Sequence, residues 1–169
     1  MRRSVWLVSA LIALGAMGCR ASQPIQRAVS EPAQAGPAKM PAFSFKDLSG
    51  RDWDSSSFKN KTVLMEFWAT WCGPCRELAP DLHDFYKRNK GRVQMLSVSL
   101  DEKESTVRAF VKDRPFLNPV IHAGSSLAKG WELKQIPALA LIRDQRIVFI
   151  WVGRDAIRQA LPALENEIL

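Results

Sequence analysis

The sequence predicts an α/β domain in which a central mixed β-sheet is flanked by helices. Apolar strand-like runs alternate with helical patterns over residues 42–137, and a hairpin and a closing helix then end the chain. The tetrapeptide Cys72-Gly73-Pro74-Cys75 stands where the first long apolar strand gives way to a helix. These observations predict one domain over residues 42–169, with a cysteine pair at a strand-to-helix junction.

The composition is that of a globular protein. The chain has 169 residues, of which 47% are hydrophobic and 24% are charged. The formal net charge is +7, but no cluster of Lys and Arg with interleaved aromatic residues occurs, so nucleic acid is not an expected partner. The excess of basic residues is interpreted as a solvated surface.

The domain begins with a predicted β-hairpin. Residues 43–53 alternate between apolar and polar side chains on either side of Ser49-Gly50, a turn-forming pair. The later elements follow from apolar periods of two for strands and of three to four for helices. These predicted elements are a helical turn at 54–58, a strand at 62–68, a helix at 73–89, a strand at 93–100, a helix at 102–113, a short strand at 120–121, a short helix at 125–131, a hairpin of 138–142 and 147–152, and a helix at 155–168.

The first eighteen residues have the pattern of a secretory signal. Arg2-Arg3 precede an apolar stretch over residues 4–17 that is short for a membrane-spanning helix. The stretch ends in Ala16-Met17-Gly18-Cys19, which resembles a bacterial lipobox. We therefore expect residues 1–18 to be a signal peptide that is cleaved before a lipidated Cys19. Cleavage by an ordinary signal peptidase and an uncleaved anchor are the alternatives.

Residues 19–41 are predicted to be a disordered tether. The segment is rich in Ala, Gln, Ser and Pro and has no apolar periodicity. As a flexible coil it would reach roughly 25 Å from a membrane surface. The chain has three cysteines, and lipidation of Cys19 would leave Cys72 and Cys75 as the working pair.

The position of Cys72 favours redox chemistry. Backbone N–H groups and the positive end of the dipole at a helix N-terminus stabilise a thiolate, the species that attacks disulfides. Cys75 lies one turn further on and can close a ring with Cys72. A structural disulfide and half of a zinc site are the alternatives. Zinc would need two more ligands, and the available His83 and His122 are expected at the surface, so neither a metal nor a cofactor is expected.

The run Trp71-Cys72-Gly73-Pro74-Cys75 matches the thioredoxin active site, and the chain resembles thioredoxin-fold thiol–disulfide oxidoreductases. Residues 101–137 are longer than that fold requires and have room for an additional helix and strand. This insertion, the N-terminal hairpin and the export signal resemble the TlpA/ResA-like group of membrane-anchored extracytoplasmic reductases. The resemblance covers residues 42–169.

The resemblance implies roles for three side chains. Cys72 would be the nucleophile and Cys75 the resolving thiol, with a redox disulfide between them. Glu66 stands six positions before Cys72 in an otherwise apolar strand, where thioredoxin has a buried aspartate that moves the proton of the resolving cysteine. A carboxyl group in an apolar site has a raised pKa, which suits a general acid/base. The alternative is a half-exposed strand glutamate in a surface ion pair.

The resemblance also implies a substrate-binding surface. Pro137 would be the cis-proline beside the disulfide, and the backbone at Ile136 would pair with the substrate chain. Trp71 would lie over the site. Gly73 and Pro74, between the cysteines, are expected to contact the substrate as well.

These features predict a lipid-anchored, monomeric reductase of disulfides in exported proteins, which faces the periplasm or extracytoplasmic space. A membrane electron donor of the thiol-reducing type would reduce it again. Apocytochrome c is a candidate substrate by family analogy, although residues 134–138 lack the Gly-x-Pro-Glu element of dedicated cytochrome-maturation thioredoxins. The alternatives are a disulfide oxidase or isomerase on the same fold, which Gly73-Pro74 disfavours, and a copper-binding assembly factor.

Overall fold

The computed structural model describes residues 38–168. The predicted signal peptide, the lipidation site at Cys19 and the tether up to residue 37 lie outside the described residues. Within residues 38–168 no helix has the length and apolar character needed to cross a membrane. The elements are β1 (Ala38–Lys39), β2 (Ser44–Lys46), β3 (Asp52–Asp54), a 3₁₀ turn (Ser55–Phe58), β4 (Thr62–Trp68), α1 (Gly73–Asn89), β5 (Gln94–Ser99), α2 (Glu104–Asp113), β6 (Val120–His122), α3 (Ser125–Gly130), β7 (Ala138–Arg143), β8 (Arg146–Val152) and α4 (Arg154–Glu167).

Six of the strands form one mixed sheet in the order β1-β8-β7-β4-β5-β6. Strand β4 is parallel to β5 and antiparallel to β7, and β6 extends the sheet in parallel beside β5. Strands β2 and β3 form a separate two-stranded hairpin. The predicted fold class is therefore confirmed, with the extra hairpin, and the long segment 101–137 holds α2, β6 and α3.

Strand β4 is covered on both faces, as its apolar sequence predicts. Since strand side chains alternate between faces, Met65 and Phe67 enter one core cluster, which also holds Trp131. Leu64 enters the other, with the buried side of α1 and with α4. Glu66 has the same parity as Leu64, so it lies on the face that α1 covers.

The fold begins earlier than the predicted boundary at residue 42. Ala38 pairs with Ile147 and Lys39 with Arg146, so β1 covers the edge of the sheet beside β8. Met40 follows with 4% of its surface exposed. Residues 38–41 therefore belong to the domain and not to the tether. A two-residue strand is too short to produce an apolar period, and this is why the sequence pattern missed it.

Candidate active site

A disulfide joins Cys72 and Cys75 at the N-terminus of α1. Cys72 is the extended residue that caps the helix, and the Cys75 backbone N–H donates to Cys72 Sγ at 3.2 Å. Pro74 lies in the first turn, where its missing N–H would have no helical acceptor. Cys72 is 5% exposed and Cys75 only 2%. The first sulfur therefore lies nearer to solvent and already accepts a backbone hydrogen bond.

An exposed tryptophan and the segment that contains a buried cis-proline lie near the disulfide. Trp71 is 68% exposed, whereas Trp68 is buried beneath the site and packs on Phe116 with ring centroids 4.8 Å apart. The Ile136–Pro137 bond is cis, as the resemblance implies. Ile136 is partly buried and packs against the cluster that contains both cysteines. Gly73 is partly exposed and Pro74 exposed, so the residues proposed to contact a substrate border the disulfide.

Asp101 holds the loop between β4 and α1. Thr70 donates to this carboxylate twice, through its backbone N–H at 2.9 Å and its Oγ at 2.6 Å. Ser99 Oγ donates to the same carboxylate at 2.7 Å. On the other side of the loop, the Arg76 guanidinium donates to the Thr70 carbonyl at 3.1 Å. These contacts fix Thr70, two residues before Cys72.

Glu66 is a buried side chain of β4 that lies on the wall of a cavity. It is 3% exposed, and Ser97 Oγ donates to its Oε2 at 2.5 Å. Burial raises the pKa of Glu66 to about 7, and the hydrogen bond from Ser97 opposes this rise. Glu66 and Cys75 line the same cavity, which has a volume of about 360 Å³. The alternative of a half-exposed glutamate in a surface ion pair does not describe this side chain.

The two histidines are less exposed than expected. His83 is half-buried and lines the cavity, with its ring edge-on to Phe116 at 5.5 Å, and burial lowers its pKa. Its position next to the buried stripe of α1 turns it towards the cavity. His122 is also half-buried, and its Nε2 lies 2.7 Å from the Asp101 carbonyl oxygen. Within residues 38–168, no three His, Cys, Asp or Glu side chains are grouped to hold a metal ion.

Sequence reasoning did not identify Thr70, Ser97, Asp101 or Asn118. Thr70 and Asp101 follow β4 and β5, which are parallel and so end at the same edge of the sheet. A polar residue within a covered strand such as β5 signals a buried hydrogen-bonding role, and this could have marked Ser97. Nothing in the local sequence marks Asn118, whose contact depends on how the inserted segment folds back.

The chain is similar to known proteins that are named thiol–disulfide oxidoreductases. The family model described as Redoxin matches residues 34–165. The ResA thiol-disulfide oxidoreductase of Bacillus cereus strain ZK is 30% identical over 122 residues, which are 70% of each chain. That of Bacillus thuringiensis subsp. konkukian is 32% identical over 111 residues, and the match covers 64% of each chain. The chain therefore spans about two thirds of the length of these relatives.

Solved structures share the fold. A structure described as a thiol:disulfide interchange protein DsbE from Chlorobium tepidum is 26% identical, with a TM-score of 0.72 over 79% of this chain and 97% of that one. The exposed lipoprotein thioredoxin Etrx1 of Streptococcus pneumoniae is 25% identical, with a TM-score of 0.63 over 73% of this chain and 99% of that one.

We expect Glu66→Gln to stabilise the protein increasingly as the pH rises. Below about pH 4.5 the carboxyl is protonated in both the folded and the unfolded states, so it adds no pH dependence. Between pH 4.5 and 7 the unfolded chain ionises while the folded group stays protonated, which lowers the stability of the wild type but not of the amide variant. The difference in the free energy of unfolding between Glu66→Gln and the wild type should grow by up to about 3 kcal/mol and level off above pH 7. Urea unfolding of both oxidised proteins from pH 4.5 to 8 measures it, and a gap that stays constant with pH would contradict the buried-acid interpretation.

Proposed function

The chain belongs to the redoxin family, and from this premise we propose that it is a thiol–disulfide oxidoreductase that reduces disulfides of exported proteins. The observation that carries the proposal is the Cys72–Cys75 disulfide, which lies at the N-terminus of α1 with Cys72 as the capping residue. The reacting sulfur would lie at the end of a helix, next to an exposed tryptophan and a partly buried Ile136 against which a peptide can lie.

The reaction consumes two electrons from the reduced protein. The Cys72 thiolate attacks one sulfur of the substrate disulfide, which forms a mixed disulfide and releases the first substrate thiolate. The Cys75 thiol then transfers its proton to Glu66, and its sulfur displaces the second substrate thiolate from Cys72. Solvent protonates the two released thiolates and takes the proton back from Glu66, so the substrate leaves as two thiols and the protein holds the Cys72–Cys75 disulfide. The Cys75 N–H and the helix N-terminus stabilise the attacking thiolate.

We propose that the oxidised protein is reduced again by a dithiol electron donor in the membrane. The compartments to which proteins are exported lack the cytosolic thiol systems. The secretory pattern of residues 1–18 and Cys19 supports a lipid-anchored protein in the bacterial envelope, on the extracytoplasmic side. The exposed lipoprotein thioredoxin of Streptococcus pneumoniae, which shares the fold, supports the same location.

Variants of the two cysteines test the catalytic cycle. The wild type should accelerate the reduction of insulin by dithiothreitol, and Cys72→Ser should lose this activity because no nucleophile remains at the helix N-terminus. Cys75→Ser, reduced and then freed of dithiothreitol before insulin is added, should accumulate a mixed disulfide between Cys72 and insulin, since no second thiol displaces the substrate. Non-reducing electrophoresis with mass spectrometry detects that adduct. Retention of activity by Cys72→Ser would refute the proposal.

The direction of electron flow is tested by the reduction potential. Gly73-Pro74 matches the dipeptide between the cysteines of thioredoxin, so we expect a potential nearer about −270 mV than about −120 mV. Equilibration of the protein with glutathione buffers of defined ratio, read by thiol alkylation, gives the value. A potential above about −180 mV would assign the protein to the oxidase or isomerase class instead.

The anchor is tested by Cys19→Ser in the full-length chain. If Cys19 is lipidated, this variant should move from the membrane fraction to the soluble fraction of a bacterial host and keep its insulin-reducing activity. Cys75→Ser, expressed in the same way, should stay in the membrane fraction and serves as the control. Unchanged partition of Cys19→Ser would favour an uncleaved anchor.

A further inference from the structure

Hydrogen bonds join Glu66 to two other buried side chains, Ser97 and Asn118. Ser97 lies opposite Glu66 in the parallel pairing of β4 and β5 and donates to Glu66 Oε2 at 2.5 Å. Asn118, in the segment that leads into β6, donates from Nδ2 to Ser97 Oγ at 2.9 Å. The exposed fractions are 3% for Glu66, 0% for Ser97 and 5% for Asn118. Bulk solvent therefore has little access to these hydrogen bonds.

Which group donates and which accepts in these hydrogen bonds follows from the number of protons available. Asn118 Nδ2 also lies 3.4 Å from the Pro119 carbonyl oxygen, which can only accept, so the amide nitrogen and not the amide oxygen must face it. Ser97 Oγ therefore accepts from Asn118. A hydroxyl has a single proton, and that proton is left for Glu66 Oε2. Asn118 thus orients the Ser97 hydroxyl towards the carboxyl.

The two oxygens of Glu66 then have different tasks. Oε2 accepts from Ser97 whether the carboxyl is ionised or protonated, so the exchangeable proton belongs on Oε1. Glu66 lines the same cavity as Cys75, and that cavity is where Oε1 can meet the thiol or a bridging water. The other titratable or charged side chains along the cavity are those of Arg76, Glu77, His83 and Arg114, while the strand neighbours Ser97 and Leu139 are neutral.

We infer that Ser97 and Asn118 are positioning residues that hold Glu66 with Oε1 free to take the proton of the Cys75 thiol. This inference rests on the proposed function, because it assigns a role within the second step of that reaction. The bond to Ser97 favours the ionised carboxyl, so it also keeps Glu66 a usable base near neutral pH. Neither side chain touches the sulfurs, and both act through Glu66.

The inference is tested first without any reaction, by infrared spectroscopy of the oxidised protein at pH 5.5. The carbonyl stretch of protonated Glu66 is identified as the band that Glu66→Gln removes. In Ser97→Ala this band should move to higher wavenumber, because the carbonyl oxygen Oε2 loses its donor. Ser99→Ala removes a buried hydroxyl from the same strand that bonds Asp101 instead, and it should leave the band in place. An unshifted band in Ser97→Ala would overturn the inference.

The second test follows resolution of the mixed disulfide after rapid mixing of reduced protein with excess oxidised glutathione, from pH 5.5 to 9. The wild-type rate should rise with pH as Glu66 ionises, and Glu66→Gln should slow resolution about 10²–10⁴-fold and remove this rise. In Ser97→Ala the pH midpoint of this rate increase should be about one unit higher than in the wild type, because the ionised carboxyl loses one hydrogen bond. Asn118→Ala should move it in the same direction by less. The pH midpoint of Ser99→Ala should match that of the wild type.

The outcomes separate the inference from the function on which it rests. A wild-type midpoint in both Ser97→Ala and Asn118→Ala, while Glu66→Gln removes the pH dependence, would refute the positioning role and leave the proposed reaction intact. A wild-type profile in Glu66→Gln would refute the role of Glu66 and the positioning role with it. If Ser97→Ala fails to fold, Asn118→Ala carries both tests, because it keeps the Ser97 hydroxyl but removes the group that orients it.

Discussion

The pairing of β4 with a strand on each side is the constraint on which the site depends. Because β4 and β5 run in the same direction, they end at one edge of the sheet, and the chain leaving β4 meets the chain leaving β5 there. Asp101 holds Thr70 at this meeting point, and α1 begins three residues after Thr70. The disulfide is therefore positioned by sheet pairing, before any contact with a substrate.

The same central position determines the chemistry of Glu66. A strand covered on both faces offers no solvent to a carboxyl group, so burial works against the charged form and only the internal donor Ser97 offsets it. An apolar side chain in this place would make a more stable sheet. The placement has the character of a functional site, in which local stability is lower than the fold could provide.

Much of this molecule could be predicted from the sequence because its signals are local. The apolar run of 62–68, the cysteines at the helix start and the charged residue inside a covered strand each carry their meaning within a few residues, and the resemblance of the pentapeptide 71–75 added the cis-proline at Pro137. The contacts that could not be predicted join distant segments. Asn118 reaches Ser97 across 21 positions of sequence and His122 reaches Asp101 across another 21, and such pairs depend on how the inserted segment folds back. Residues 38–41 were missed for the opposite reason, since two strand residues and one buried methionine are too short to form a pattern.

The edge strand β1 determines from which side the domain can be approached. Strands β4 and β8 are both antiparallel to β7 and so point the same way. The disulfide follows the last residue of β4, whereas Ala38 and Lys39 pair with the first two residues of β8, at the opposite pole of the sheet. The seven residues of β4 separate the poles by about 20 Å, at about 3.3 Å per residue. Because β1 is antiparallel to β8, it runs towards that remote pole, and an attachment through Ala38 would lie at the edge of the sheet, three strand positions away from β4 and from the disulfide to which β4 leads.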